Sequence, residues 1–339
     1  MDRKSLGRYE IVRALENAPW GPVYEGRDAV LQRKVVLHCV DLHDLSPQAA
    51  HEFTERFQDE AAATSRVSHP GIVGIADFGR TDDLAYLVVQ HVDGETLKAR
   101  LERGERMAWP AAVALVKDLL DALGHAHACG IVHRSVRPAH LLLADGRIKL
   151  AGLGMACIQQ SEATTGAKLG VLAVGTRYMS PEQVQGQPLE FRSDLFSAGV
   201  VLYELLTGAC PFEGDNPFAT IQRIVTLQPP APSQLDPALP GALDAILARA
   251  LAKDKAARFA SAAEFGHALA ALSPVKVPAA EPQARVESTI ALELELEYWK
   301  DIKESEDAAD FLEFLKTFPA GRFAPLAQRR LRLMGQGAT

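Results

Sequence analysis

The chain has few cysteines, no long apolar run and no excess of basic residues, and each shortage excludes a class of protein. The four cysteines lie far apart, without the paired spacing of a disulfide or zinc framework: Cys39, Cys129, Cys157 and Cys210. They predict reduced and mostly buried thiols. The formal net charge of −7 is spread along the chain and argues against nucleic acid as a main partner.

Sequence signals for secretion and for membrane insertion are also missing. The first residues lack the apolar core of a signal peptide. The longest apolar run, around residues 195–206, is interrupted by Glu204 and is shorter than the roughly 20 residues of a membrane helix. We therefore expect a cytoplasmic protein without membrane contact. With 339 residues, 47% of them hydrophobic, the chain can bury a sizeable core.

The patterning places strands first and helices afterwards. The first part of the chain has five short strand-like runs, at residues 9–15, 23–28, 34–40, 74–78 and 84–90. A helical pattern at residues 49–67 interrupts them. A longer helical pattern starts at residue 109 and ends at Gly130, because glycine is a natural helix terminator.

Residues 131–143, Ile-Val-His-Arg-Ser-Val-Arg-Pro-Ala-His-Leu-Leu-Leu, resemble the catalytic loop of the protein kinase family. In that family the Asp of His-Arg-Asp accepts the substrate hydroxyl proton, and a later Asn holds a magnesium ion. Here Ser135 stands at the Asp position and His140 at the Asn position. His133 and Arg134 remain. The resemblance implies that His133 packs in the core and that Arg134 steadies the activation segment. The resemblance thus predicts a loop that keeps its backbone shape but lacks the general base and the magnesium ligand.

Two further motifs of the same cleft are altered. Residues 148–156, Ile-Lys-Leu-Ala-Gly-Leu-Gly-Met-Ala, are similar to the magnesium-binding motif, with Gly152 at the position of its Asp. Residues 35–38, Val-Val-Leu-His, are similar to Val-Ala-Ile-Lys, so His38 replaces the phosphate-holding lysine. Glu60 stands where the resemblance implies the partner glutamate of that lysine. We expect His38 to be satisfied by Glu60.

The loop that covers the phosphates is degraded as well. Residues 16–24, Glu-Asn-Ala-Pro-Trp-Gly-Pro-Val-Tyr, resemble Gly-x-Gly-x-x-Gly-x-Val, in which bare backbone closes over the phosphates. Only the third glycine, Gly21, is kept, while Glu16 and Ala18 replace the others. A carboxylate at Glu16 would repel a triphosphate. We expect a plain hairpin, and ATP and magnesium binding that is weak or absent.

Residues with a structural role in the family are kept. The resemblance implies that Glu182, in Ser-Pro-Glu, pairs with the distant Arg258. It also implies that Asp194 hydrogen-bonds the backbone of the catalytic-type loop. Between Gly152 and Glu182 lies a polar stretch at residues 159–174. Ser161, Thr164 or Thr165 in this stretch is open to phosphorylation, and Arg134 could then bind the phosphate. A solvated loop is the plainer interpretation.

The resemblance covers roughly residues 6–272 and implies an α+β fold of two lobes, as in bacterial Ser/Thr kinases of the Hanks type. We expect a small antiparallel β lobe at 6–92, a helical lobe at 93–272, a Pro/Ala linker at 273–287 and a helical tail at 288–336. The tail is similar to tetratricopeptide hairpins. One such unit buries little surface alone, so it docks on the kinase-like lobe or on another chain.

The predicted function is that of a pseudokinase, a catalytically inactive kinase homologue that acts as a protein-binding scaffold or allosteric signalling partner. No metal and no catalytic residue is assigned. One alternative is residual ATP binding or a weak or unusual Ser/Thr kinase activity, with Glu60 or Asp145 recruited as a metal ligand. Another keeps ATP as a purely structural ligand.

Overall fold

The computed structural model describes residues 4–18, 21–43, 45–81, 83–155 and 175–272, and in the C-terminal part residues 299, 302, 305, 307–318, 326–328 and 331. The side chains of residues 16–18, the stretch 159–174 and the predicted linker 273–287 lie outside the described part. The chain divides into two compact units, residues 1–272 and 273–339. None of the described helices has the length and apolar character needed to cross a membrane.

The first lobe of unit one is a six-stranded antiparallel sheet with one helix. Its strand order is β1-β2-β3-β4-β6-β5. Helix α1 follows β4 and begins at Pro47, where the Oγ of Ser46 accepts a hydrogen bond from the amide of Ala49. The elements are β1 Ser5–Leu6, β2 Tyr9–Ala18, β3 Gly21–Asp28, β4 Lys34–Asp41, α1 Pro47–Thr64, β5 Ile75–Arg80 and β6 Leu84–Gln90.

Strand β4 divides its side chains between two apolar clusters, because successive residues of a strand point to opposite faces. Val35, Leu37 and Cys39 belong to the cluster on one face of the sheet. Val36 and Val40 contribute to the other cluster, which contains the inner face of α1 and Met155. His38 lies between Leu37 and Cys39 in the chain, so the alternation places it on the α1 side.

The second lobe is mainly helical. Its small sheet has the order β7-β8-β9. The core is built around helices α3 and α5; most of α5 is buried on all sides, which explains the apolar run seen in the sequence. The elements are β7 Glu95–Thr96, α2 Leu97–Glu102, α3 Trp109–Ala128, β8 Leu141–Ala144, β9 Arg147–Leu150, α4 Pro181–Val184, α5 Phe191–Thr207, α6 Pro217–Thr226, α7 Pro232–Leu235, α8 Ala242–Ala250 and α9 Ala262–Ala270, with 3-10 turns at Pro138–His140 and Lys255–Ala257.

The predicted two-lobed α+β fold is confirmed. An antiparallel sheet with one helix precedes a helical lobe, and the strand and helix bounds differ from the expected ones by a few residues. Helix α3 stops where the sequence indicated: Cys129 is its C-cap and Gly130 follows with φ +77°. This turn brings the chain into the catalytic-type loop.

The second unit contains helix α10, Ala308–Thr317, whose N-cap Asp307 accepts from the amide of Ala309. Phe311 and Phe314 are fully buried and pack with Trp299, Ile302 and Ala327 in an aromatic cluster of this unit. The helix falls inside the tail predicted at 288–336. Most of the two flanking helices predicted there lies outside the described residues.

Candidate functional site

His38 lies on β4, at the position of the lysine that kinases use to hold the phosphates. Its ring is half-buried, and its Nδ1 atom is buried with no hydrogen-bond partner. Burial lowers the pKa of His38 to about 4. Burial is the cause of this shift, and the pairing of His38 with Glu60 stays a prediction. Glu60 lies half-buried on α1.

Asp194, at the start of α5, holds the catalytic-type loop in place. Its carboxylate is almost completely buried and accepts hydrogen bonds from the backbone amides of His133 and Arg134, each at 2.8 Å. The Nε2 atom of His127, at the end of α3, lies 2.8 Å from the same carboxylate. This is the backbone contact that the kinase resemblance implies, and it ties three elements of the second lobe together.

His140 ends the 3-10 turn of the loop and has both ring nitrogens engaged. Its Nε2 atom lies 3.3 Å and 3.1 Å from the Nε and Nη2 atoms of Arg137. Because a guanidinium can only donate, Nε2 must accept. The proton is then on Nδ1, which donates to the carbonyl oxygen of Ser135 at 2.8 Å. The ring is therefore a neutral imidazole fixed from both sides.

His133 is fixed in the opposite tautomer. Its Nδ1 atom accepts from the amide of Ser135 at 3.2 Å, so Nε2 carries the proton and donates to the carbonyl oxygen of Ala151 at 2.9 Å. Burial lowers the pKa of His133, and Asp194 opposes this shift without cancelling it. The next residue along the chain is Gly152, with φ +86° and no side chain to offer.

The residues present do not fit a magnesium ion of the kinase type. Such an ion takes oxygen ligands, and kinases supply them from an Asn and an Asp side chain. Here His140 offers only nitrogens, both already hydrogen-bonded, and Gly152 offers no side chain. Within the described residues no group of three or more His, Cys, Asp or Glu side chains is placed to hold a metal ion.

Acid is expected to destabilise the kinase-like unit between about pH 6.5 and 5. The pKa values of His38, His133 and His140 are all lowered from 6.5 in the folded chain, that of His140 by burial first and then by Arg137 and the other two histidines. In this pH range the histidines of the unfolded chain bind protons, whereas those of the folded chain do not. Their contribution to the free energy of unfolding is therefore fully present above pH 6.5 and is lost as the pH falls.

Each such histidine contributes a slope of up to about 1.4 kcal/mol per pH unit. Urea unfolding at pH 7.5, 6.0 and 5.0 measures the summed effect of the three histidines on the free energy of unfolding. The variant His140→Asn removes one titrating ring and should flatten the slope by about one histidine's share. A free energy of unfolding that is level from pH 7.5 to 5 would contradict the neutral imidazole network.

Gly21 is kept for a reason that does not need a nucleotide. It pairs with Ala18 across the β2–β3 turn and has φ +150°. A Cβ atom at this position would lie 2.4 Å from the carbonyl oxygen of Cys39 on β4. The close approach of two strands therefore requires glycine here. The side chains of Glu16 and Ala18 lie outside the described part, so the expected repulsion of phosphate by Glu16 stays a prediction.

Glu182 and Arg258 form a fully buried ion pair. The Nη1 and Nη2 atoms of Arg258 donate to the two carboxylate oxygens of Glu182 at 2.7 Å and 2.9 Å. Ser193 also donates to Glu182, at 2.7 Å. Burial opposes the charge of Glu182, but the hydrogen bonds from Arg258 and Ser193 outweigh it and hold the pKa at about 2.

The sequence did not reveal the clamp between Arg137 and His140. The available signal was their spacing: residues three apart on a 3-10 turn lie one above the other, which brings the two side chains together. The bond from Ser193 to Glu182 was also missed, because only the tertiary fold brings α5 to α4. Ser135 itself is half-buried in the loop, at the place of the missing base.

Comparison with known proteins agrees with this fold. Residues 9–269 match the family model described as protein kinase domain. Because this match covers well over half of the chain, the chain belongs to the protein kinase family.

Its relatives include bacterial Ser/Thr kinases, which confirms the bacterial Hanks-type family predicted from the sequence. The serine/threonine-protein kinase PksC of Streptomyces coelicolor is 37% identical over 266 residues, 76% of this chain and 47% of the relative. For the serine/threonine-protein kinase PrkC of Bacillus subtilis the identity is 32% over 264 residues, 78% of this chain and 40% of the relative. The chain thus spans less than half the length of these relatives.

Proposed function

We propose that this chain is a protein kinase homologue that does not transfer phosphoryl groups and that acts by binding other proteins. The proposal depends above all on the place of the magnesium ligands, where a clamped imidazole, His140, and a bare glycine, Gly152, stand instead of oxygen ligands. The general base is replaced by Ser135 and the phosphate-holding lysine by His38. Loss of a general base alone costs about 10²–10⁴ in rate.

A weak or unusual Ser/Thr kinase activity is the second candidate, and the names of the two relatives favour it, since both are serine/threonine-protein kinases. It would need another carboxylate as metal ligand. Asp145 lies exposed in the turn between β8 and β9, with φ +51°. Glu60 lies half-buried on α1.

The two candidates predict different responses to nucleotide. We expect the melting temperature of the full chain to stay unchanged in millimolar ATP with Mg²⁺ or Mn²⁺, because ligand bound to the folded state would raise it. An assay of ADP release then tests for turnover, with an active protein kinase as positive control. A metal-dependent shift together with ADP release would overturn the proposal. An equal shift with and without metal would support ATP as a structural ligand.

We place protein binding in the predicted tail, residues 288–336. Helix α10 buries Phe311 and Phe314, yet Leu312 on the same helix is 59% exposed and Leu326 is 47% exposed. The matching experiment compares pull-downs by the full chain, by a chain ending at residue 287 and by the variant Leu312→Glu. Equal capture of the same partner by all three would contradict a role for the tail.

A further inference from the structure

The imidazole of His140 lies directly against the backbone of Gly152. A Cβ atom at Gly152 would be 2.9 Å from Nδ1, 3.1 Å from Cγ and 3.3 Å from Cε1 of His140. Real Cβ atoms rarely approach a neighbour this closely, and the φ of +86° is unfavourable for any other residue. Any side chain at position 152 would therefore have to displace the His140 ring.

The ring cannot move aside freely. Both nitrogens of His140 are hydrogen-bonded, to the carbonyl oxygen of Ser135 and to Arg137. Its backbone is held as well: its amide donates to the carbonyl oxygen of Arg137 at 2.9 Å, and its carbonyl oxygen accepts from the amide of Ala151 at 2.8 Å. The residue is only 9% exposed, so the surrounding protein limits other rotamers of its side chain.

We propose that His140 is a built-in occupant of the cleft position that a metal ion and its carboxylate ligand take in active kinases, and that His140 and Gly152 are one coupled pair. The inference rests on the proposed function but goes further, because it says what replaces the metal. The neutral imidazole joins the carbonyl oxygen of Ser135 to the guanidinium of Arg137, and the backbone carbonyl of His140 accepts from the amide of Ala151, just after β9. The loop thereby keeps its shape without a metal ion.

Coupling has a measurable consequence in a double-mutant cycle. Gly152→Ala and Gly152→Asp each add a Cβ against the ring, and we expect each to lower the melting temperature by about 5–10 °C. His140→Asn removes the ring and should lower it by only a few °C. In the His140→Asn background the loss from Gly152→Ala should fall to roughly half, since the steric part is relieved and the backbone strain remains.

Gly154 provides the matched control. It also has a positive φ, +83°, and a Cβ there would lie 2.8 Å from the Oγ1 atom of Thr64 and 2.9 Å from the Cδ1 atom of Ile75. Gly154→Ala should therefore be as harmful as Gly152→Ala, and His140→Asn should not relieve it. Additive losses at both glycines would overturn the coupling.

A second measurement tests whether the pair occupies the metal position. The full-length double variant His140→Asn, Gly152→Asp regains an amide and a carboxylate oxygen, so MnCl₂ with ADP should raise its melting temperature by about 2–4 °C. The same probe should leave the parent chain and His140→Asn, Gly152→Ala unchanged. No shift in the Asp-containing variant would overturn this part. A shift in the parent chain would show that the metal position is open and would overturn its occupancy by His140, whereas the proposed function is tested separately by ADP release.

Discussion

Replacing Arg258 by methionine should lower the free energy of unfolding of the kinase-like unit by about 3–5 kcal/mol. The guanidinium is completely buried and makes a bidentate contact with Glu182. It also donates to the backbone carbonyl oxygens of Ala252, Arg192 and Lys253. Methionine would fill similar volume but leave a buried carboxylate and several carbonyl groups without a donor, which costs more than the pair itself contributes.

Urea unfolding of the full chain measures this loss, with Arg147→Met as the matched control. Arg147 makes the same two-pronged contact with Asp118, at 3.2 Å and 2.9 Å, but its side chain is 71% exposed. Exposed pairs of this kind contribute little because water screens them, so the control should be nearly neutral. Equal losses in the two variants would show that burial of the Glu182–Arg258 pair does not matter.

The same pair shows why a loss of catalysis would leave the fold unaffected. Glu182, Arg258 and Asp194 serve hydrogen bonds that stabilise the second lobe whether or not a phosphoryl group is transferred. The altered positions, by contrast, lie in the cleft, where a kinase needs a base, oxygen ligands and a lysine. A chain that no longer needs catalysis can change the residues of the cleft, but it must keep those that stabilise the second lobe.

Much of this was accessible from the sequence, because local patterning fixes the elements. Strand alternation located β4, and the periodic apolar residues before Gly130 located α3 to within two residues of its observed end at Ala128. The role of Asp194 was accessible only through the family resemblance. Motif spacing also placed His38, Ser135, His140 and Gly152 in one cleft.

What the sequence could not supply were contacts that depend on exact side-chain reach. Family positions indicate a pairing of His38 with Glu60, but they do not reveal that the Nδ1 atom of His38 is buried without a hydrogen-bond partner. His140 and Gly152 looked like two separate losses. Their contact became visible only once the positive φ at Gly152 and the 3-10 turn at Pro138–His140 were known.

Restoring the base alone should not restore catalysis. We expect Ser135→Asp to leave phosphate incorporation at background, because a base acts on a nucleotide only if the metal ion and the lysine have positioned it. Contributions of residues that act as a unit are strongly non-additive. The combined variant His38→Lys, Ser135→Asp, His140→Asn, Gly152→Asp brings the four kinase-type side chains back together.

For the combined variant we expect phosphate incorporation at least about 10²-fold above Ser135→Asp alone, the lower bound for a working general base. Incorporation of labelled phosphate from ATP with Mg²⁺ measures it. The control is the same set with Ser135 retained, which restores the metal ligands and the lysine without the base. Equal incorporation with and without Asp at position 135 would contradict a missing base. Full activity from Ser135→Asp alone would show that His140 and Gly152 never excluded the metal. The inference about this pair would then fall, and the inactivity proposed for the parent chain would depend on Ser135 alone.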